Sequence, residues 1–401
     1  MYIITTRFSI ITKQTQSHWR IGRVSFDEYV NQILDDGRLH ERANLFFNYV
    51  VPSIIENSKI YAIKHILLTS VLLPQWLKDE LNKLPKNIFS VHYFGVDDKV
   101  DLRSIITETL IDSHDCYGDK DLSYVASIRL DDDDILSPNY FECMSNYLCE
   151  QFSGFHVSFS SGICGLFNQT YKKFNKERLV LSALGLAYII KYDIQNKTIL
   201  TPACYPMGSH PLVDTRAPTI IDGRNITWIH TQSISSDTFK NIGKTSESIY
   251  ETLNNKYNLN ENIDFKDVEK LFLIKFPRIT DSMTLRAERN DIFVSASPIE
   301  YNYYREDLNF PDKNITVIFT IDNCSSEKFT YGFYDYSNNC FIKKIISSVR
   351  SNEEHELSID NYSTNKLAFL IYAGLSGHTA GHSIKISNLR VYSSESERDS
   401  V

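Results

Sequence analysis

Residues 124–134 constrain the fold more than any other stretch. Tyr124-Val125-Ala126-Ser127-Ile128-Arg129-Leu130 is a run of strand-forming, mostly apolar residues, and it ends directly in Asp131-Asp132-Asp133-Asp134. A strand of that composition is stable where it is buried inside a sheet. Carboxylates resist burial, so the chain must emerge at the carboxyl end of that strand. This is the edge at which open α/β sheets place their ligands.

The first half of the chain agrees with such a sheet. Strands are predicted over 2–6, 66–69, 88–94 and 124–130. Between them, helical spacing runs over 41–55 (Leu45, Phe46, Tyr49 and Val50 on one face), 73–84 with Pro74 in its first turn, 102–111 and 138–150. Strands alternating with helices predict an α/β domain with a largely parallel sheet. Further on, 155–159 and 180–192 read as strands, 205–218 as a loop rich in Pro, Gly, Ser and His, and 246–253 and 265–273 as helices. Short alternating runs then recur at 291–295, 316–320, 329–334, 340–345, 368–372 and 383–391, which predicts a β-sandwich. The expected division is an α/β domain over 1–255, a helical linker over 256–281, a β-sandwich over 282–393 and a polar tail over 394–401.

Four carboxylates at a sheet edge suit one chemistry well. A nucleoside diphosphate concentrates negative charge, and a hard dication, Mg²⁺ or Mn²⁺, bridges its oxygens if one or two carboxylates hold the ion. In extended backbone residues i and i+2 share a side, so Asp131 and Asp133 would point one way and Asp132 and Asp134 the other. That spacing assigns Asp131 to the nucleoside end of a donor and Asp133 to the metal. Asp134 is the rival ligand and Asp132 a solvent-facing spacer. The plain alternative is a solvated acidic loop; a calcium-binding EF-hand is excluded because no Gly stands at its sixth position.

Charge and cysteine usage narrow the partners. With 42 Lys and Arg against 50 Asp and Glu, the chain carries a formal charge of −8 and no basic cluster, which argues against a nucleic-acid partner. Its 7 cysteines are odd in number and form no CxxC pair, as expected of reduced thiols in a cytoplasm. Residues 1–8 lack the basic and apolar regions of a signal peptide, and the apolar stretch 179–190 falls short of the roughly 18 residues of a membrane span.

Several pieces, in order, resemble the bacterial putative rhamnosyltransferase family, which has the type-A nucleotide-sugar glycosyltransferase fold, a Rossmann-like mixed sheet. They are Thr5-Thr6-Arg7-Phe8, Leu39-His40-Glu41-Arg42, Leu45-Phe46, Pro52-Ser53-Ile54, Leu73-Pro74 and Arg129-Leu130-Asp131-Asp132-Asp133-Asp134, the last like the family's R-L-D-x-D-D. The resemblance spans about 1–234 and leaves the C-terminal module uncovered. It implies an enzyme moving a sugar from a nucleotide-sugar donor to a hydroxyl of a bacterial surface glycan or glycolipid such as lipopolysaccharide or capsule; the family's name points to rhamnose, but the resemblance does not fix the sugar. It also implies that Thr6, Arg7 and Phe8 hold the nucleotide base and ribose, and that His230, after the apolar Trp228-Ile229, completes the metal shell.

Other candidates follow from chemistry. Arg7 offers a guanidinium fork to a phosphate, and Arg129 either orients Asp131, touches the nucleotide or makes a structural ion pair. An inverting transferase needs one general base for the acceptor hydroxyl; in the loop 205–214 Asp214 is favoured and His210 is the rival. A loop Asp that merely caps a turn is the bland alternative for Asp214. Tyr301, Tyr303, Tyr304, Phe310, Tyr331, Phe333, Tyr334 and Tyr336 either stack on sugars or pack the sheets of the last module. Peripheral contact with the inner face of the cell membrane and self-association through that module are both compatible with this picture. The competing function is a degenerate transferase that binds carbohydrate without turnover. A phosphoryl or nucleotidyl transferase is disfavoured, because no Walker loop or glycine-rich phosphate cradle follows the first strand.

Overall fold

A computed structural model describes residues 1–16, 24–116, 121–168, 170–233, 263–276, 284–295, 303–308, 313–348, 353–362, 366–373 and 383–395. The helix expected at 246–253, Tyr301, Phe310 and most of the polar tail lie outside them. The chain divides into two compact units, Met1–Phe276 and Pro277–Val401.

The first unit is organised by β1 (Tyr2–Arg7), β2 (Ile63–Ser70), β3 (Phe89–Phe94) and β4 (Leu122–Arg129), which lie side by side in the order β4-β1-β2-β3 and are all parallel. The central β1 and β2 and residues 125–128 of β4 are buried on both faces, whereas β3 is half-buried along most of its length. Beyond β4 the sheet becomes mixed. β9 (Leu186–Asp193) is antiparallel to β4 and to β6 (His156–Phe159); β11 (Thr219–Asp222) adds in parallel to β6, and β10 (Thr198–Ile199) pairs with β9. A second sheet has the order β5-β12-β7-β8, built from β5 (Ile135–Leu136), β7 (Ser161–Asn168), β8 (Thr170–Arg178) and β12 (Trp228–Ser233). Gly162 in β7 is required there, because a Cβ would stand 2.1 Å from the ring of the fully buried Trp228.

Helices flank the main sheet: α1 (Lys13–Gln16), α2 (Phe26–Ile33), α3 (Asp36–Leu45), α4 (Val51–Ser58), α5 (Gln75–Asn82), α6 (Leu102–Asp112) and α7 (Pro138–Ser145). The single helix predicted over 41–55 is α3 and α4 joined by a π-turn at Phe46–Val50. Pro52 has no N–H for the carbonyl four residues back, and one wider turn absorbs the missing bond. The strand predicted over 180–192 begins only at Leu186. Leu181 has φ 55° and Gly185 φ 74°, so the backbone before Leu186 is left-handed at two points.

The helix expected inside a linker, α8 (Phe265–Phe272), packs on the core of the first unit. Val268 and Phe272 are buried there, and Phe265 lies 4.8 Å ring to ring from Phe174. Among the described residues no helix is long and apolar enough to cross a membrane.

The second unit consists of β13 (Thr284–Arg289), β14 (Ile292–Ser295), β15 (Tyr304–Leu308), β16 (Lys313–Cys324), β17 (Lys328–Asp335), β18 (Cys340–Ser348), β19 (Glu353–Tyr362), β20 (Leu367–Ala373) and β21 (Ser383–Glu395). They form two antiparallel sheets, β13-β21-β16-β19 with β14 on β21, and β15-β20-β17-β18. Val317, Phe319, Phe329, Phe333, Phe369 and Ile386 meet in one core between them. Tyr331 and Phe333 belong to that core, and Tyr304 packs at its margin. Tyr334 and Tyr336 contact each other edge-on at 4.9 Å, and Arg305 covers the Tyr336 ring at 4.1 Å.

Candidate active site

β1 and β4 end side by side. Thr5 pairs with Arg129, and the Leu130 N–H donates to the Thr5 carbonyl at 3.3 Å, so Arg7 and Asp131 leave the sheet at the same edge. Thr6 secures that junction. Its hydroxyl donates to the Leu130 carbonyl at 2.9 Å, and His65 Nε2 lies 2.9 Å from the Thr6 hydroxyl oxygen. Thr6 is fully buried, and so is Phe8, which packs on Phe46 at 5.0 Å. At both positions, expected to hold the nucleotide, only backbone is left for a donor: alternation along β1 sends the Thr6 side chain inward, and Phe8 fills the core below α3.

The four aspartates are not extended. The Asp134 N–H reaches back to the Asp131 carbonyl at 3.4 Å, so the chain turns, and the expected two-sided alternation does not apply. Asp132 is corrected from a solvent-facing spacer to a buried residue paired with Arg42. The same guanidinium lies 3.3 Å from Asp133 Oδ2. Asp134 is buried too, and its Oδ1 accepts from the Thr231 N–H of β12 at 3.1 Å. Burial raises the Asp132 carboxyl to about 6 against the pull of Arg42, with Asp133 pushing further up. Asp134 is held well above the usual carboxylate range by burial and then by the charges of Asp133 and Asp131.

The arginines come from α3. Its first turn is capped by Asp35, whose carboxylate accepts from the Arg38 N–H at 2.9 Å. Arg38 and Arg42 are one turn apart and project from one side. Arg38 donates to Ser9 Oγ and to the Ile33 carbonyl, both at 3.2 Å. Ser9 follows β1 with φ 47°, a conformation that costs a non-glycine residue about 1 kcal/mol and needs support. One helix thus braces the turn after β1 through Arg38 and the acid turn after β4 through Arg42. Neither arginine was assigned a role from sequence, although two Arg at i and i+4 behind a capping Asp were visible.

A second group stands beside Asp131. The charges of Arg129, Arg7 and Asp131 all act on both Tyr205 and His210, which places these five residues in one neighbourhood. Tyr205 is buried, and burial raises its phenol. Arg129 Nη1 donates to the Gly208 carbonyl at 3.1 Å, and its Nε has no hydrogen-bond partner among the described residues. His210 Nδ1 lies 2.6 Å from the Leu181 carbonyl, so that nitrogen carries the proton and Nε2 keeps its lone pair. Burial, then the Arg129 charge, lowers the His210 imidazole, which is therefore neutral at pH 7. Asp214 occupies the same turn, His210–Thr215, but is exposed and makes no hydrogen bond or ion pair among the described residues.

His230, expected in the metal set, already has partners on both ring nitrogens. Its Nδ1 is 2.8 Å from Glu177 Oε2, and its Nε2 is 2.5 Å from the Gln232 amide, so both ring nitrogens are engaged. Strand alternation turns it away from Thr231, whose hydroxyl meets Tyr171 in the core at 2.6 Å. Among the described residues, no three His, Cys, Asp or Glu side chains stand close enough to hold a metal by themselves, so Asp133, Asp134 and His230 do not assemble as a complete set.

The junction also predicts a pH response. His65 is fully buried, and burial lowers its imidazole to about 3, well below the 6.5 of the unfolded chain. The unfolded chain therefore binds a proton that the native state refuses. The stability from neutral His65 is complete above pH 6.5 and is lost as pH falls toward 3, at about 1.4 kcal/mol per pH unit. Urea unfolding of wild type between pH 6.5 and 4.5 should show this slope, and His65→Gln should lack it. Parallel curves for the two proteins would refute the account.

The family described as putative rhamnosyl transferase matches residues 2–244. No curated protein matches the sequence. Among solved structures, an arabinose-bound MgGH51 α-L-arabinofuranosidase is 9% identical over 28% of this chain, which spans 23% of that enzyme, with a TM-score of 0.20. BiXyn10A CBM1 is 13% identical over 27% of this chain and 92% of its own, with a TM-score of 0.18. A mutant of a family 29 carbohydrate binding module is 17% identical over 30% of this chain and 81% of its own, with a TM-score of 0.19. Similarity this low carries no argument about the fold or the site. The family match covers more than half of the chain, from β1 through the acid turn and past β12, and the chain belongs to the putative rhamnosyl transferase family, a family of glycosyltransferases by that description.

Proposed function

We propose that the first unit moves a sugar, rhamnose by the family's name, from a nucleotide-sugar donor to a hydroxyl of a bacterial surface glycan or glycolipid, with inversion and with Mn²⁺ or Mg²⁺ bound. The observation that carries this reading is the acid turn at the carboxyl end of β4, beside Arg7 and Arg129. The residues fit a hard dication. Every side chain of the turn offers carboxylate oxygens, and the charge of Asp134 is under-compensated where it is buried. Such an ion takes one or two protein carboxylates and completes its shell with phosphate oxygens and water, so a full protein cage is not needed. When bound, it supplies positive charge to a leaving diphosphate.

In this reading Asp133, with Asp134 beside it, holds the ion, Asp131 meets the ribose, and Arg7 and Arg129 face the phosphates. His210 is the better base for the acceptor hydroxyl: its Leu181 contact fixes the tautomer that leaves Nε2 unprotonated, whereas Asp214 is exposed and unpositioned. His210→Gln should lower kcat by about 10²- to 10⁴-fold with KM for the donor little changed, while Asp214→Asn stays near wild type. The reverse ranking would hand the role to Asp214.

The test of the function is a hydrolysis and transfer screen over the common nucleotide sugars, with and without Mn²⁺. Turnover of one donor that requires the ion is expected. If none of the donors is bound or consumed, the proposed activity is wrong. A cytoplasmic site of action, at the membrane face where lipid-linked acceptors gather, completes the proposal.

A further inference from the structure

Asp133 is placed between two positive charges, one built into the fold and one that the proposed reaction brings. The built-in charge is Arg42. It pairs with Asp132 and lies 3.3 Å from Asp133 Oδ2. The three side chains are only 8%, 5% and 12% exposed, so the guanidinium is screened little by solvent. Its position is set by α3, whose Arg38 is held one turn away by Ser9 and Ile33.

We propose that Arg42 is a positioning residue and internal counter-cation that shares Asp133 with the divalent ion. It shapes the acid turn when no ion is bound, and it opposes the ion when one arrives. This rests on the reading in which Asp133 is the metal ligand. The geometry supplies the means. One guanidinium serves two acids, so Asp133 is able to change partner while Asp132 still neutralises Arg42. Neither step leaves a buried charge bare, which would otherwise be costly. Two like charges a few ångströms apart repel, so the ion binds more weakly than the acids alone would hold it. A nucleoside diphosphate arriving with the ion offsets that repulsion, which makes the site select the ion–diphosphate pair over the bare ion.

The experiment measures Mn²⁺ binding to the full chain, with MnCl₂ alone, by the electron paramagnetic resonance signal of the free ion. Removing Arg42 by itself strains the fold, so the comparison is made in the Asp132→Asn background. In that variant Arg42 has only Asp133 left of its two acids, and Mn²⁺ should bind about tenfold more weakly than to wild type. Arg42→Met combined with Asp132→Asn removes the buried cation as well, and affinity should rise by about tenfold or more over Asp132→Asn. Arg42→Lys, which keeps the charge, should not tighten binding. A purely structural Arg42 would give weaker binding whenever it is removed. If the double variant binds Mn²⁺ no tighter than Asp132→Asn, the inference is overturned while the transferase reading stands. If wild type binds no Mn²⁺ with or without a nucleoside diphosphate, both fall.

Discussion

Asp133→Ala should abolish sugar transfer while leaving the protein folded. The reason is the difference between the two states of the donor. In the proposed transfer, charge would accumulate on the leaving diphosphate as its bond to the sugar broke, and a dication held by Asp133 at the sheet edge would supply several kcal/mol of stabilisation there. Each 1.4 kcal/mol is a factor of about ten in rate, so a loss of about 10³-fold or more in kcat is expected. The fold has less to lose. Asp133 crowds two other buried carboxylates, and Arg42 retains Asp132 as a partner. The unfolding midpoint of the variant should therefore stay at or above that of wild type. Wild-type turnover by Asp133→Ala in the presence of added Mn²⁺ would remove Asp133 from the metal role.

Arg42→Met should have the opposite profile, with stability the first casualty. Its side chain is 8% exposed and faces Asp132 and Asp133, at 5% and 12%. Taking away one partner of a buried pair leaves uncompensated charge, at a cost of about 3–5 kcal/mol. The exposed Lys59–Glu56 pair, at 62% and 41%, is by contrast worth under about 1 kcal/mol. The pH dependence carries the sign. Without Arg42, burial and mutual repulsion raise the folded-state carboxyls further above the 3.8 of the unfolded chain. Groups raised in this way contribute stability that is complete below the unfolded value and lost as pH rises. The destabilisation should therefore be largest near pH 7 and smaller near pH 5. Urea unfolding at the two values tests it, and Arg42→Met with Asp132→Leu should recover part of the loss, because both buried charges are then gone. Equal destabilisation at the two pH values would mean that lost packing, not lost charge, is responsible.

The two variants separate what the acid turn does for chemistry from what α3 does for the turn. Both rest on contacts that no local sequence pattern encodes. The alternation rule that sorted the four aspartates onto two sides holds only for extended backbone, and here Asp134 turns back to Asp131. Arg42 meets Asp132 across 90 positions, and His230 meets Glu177 across 53. No local pattern announces such pairs. The left-handed residues Ser9 and Leu181, which shape the loops that hold Arg38 and His210, are likewise invisible in a sequence that offers no glycine there.

Local chemistry by itself determined the parallel strands β1 to β4, the helices α5 and α6 between them, the emergence of the acids at the carboxyl edge, and the antiparallel character of the last module. Each depends on hydrophobic periods of two or 3.6 residues, or on an apolar strand-forming run that ends where a run of carboxylates begins. Only the tertiary structure decided which side chains face the site. It turned Thr6 and Phe8 inward, buried Asp132 on Arg42, engaged both nitrogens of His230, and set Tyr205 and His210 beside Arg7, Arg129 and Asp131. The reason is physical: a strand's edge is written in its own composition, whereas a buried charge takes whichever partner the packing of distant elements brings within reach.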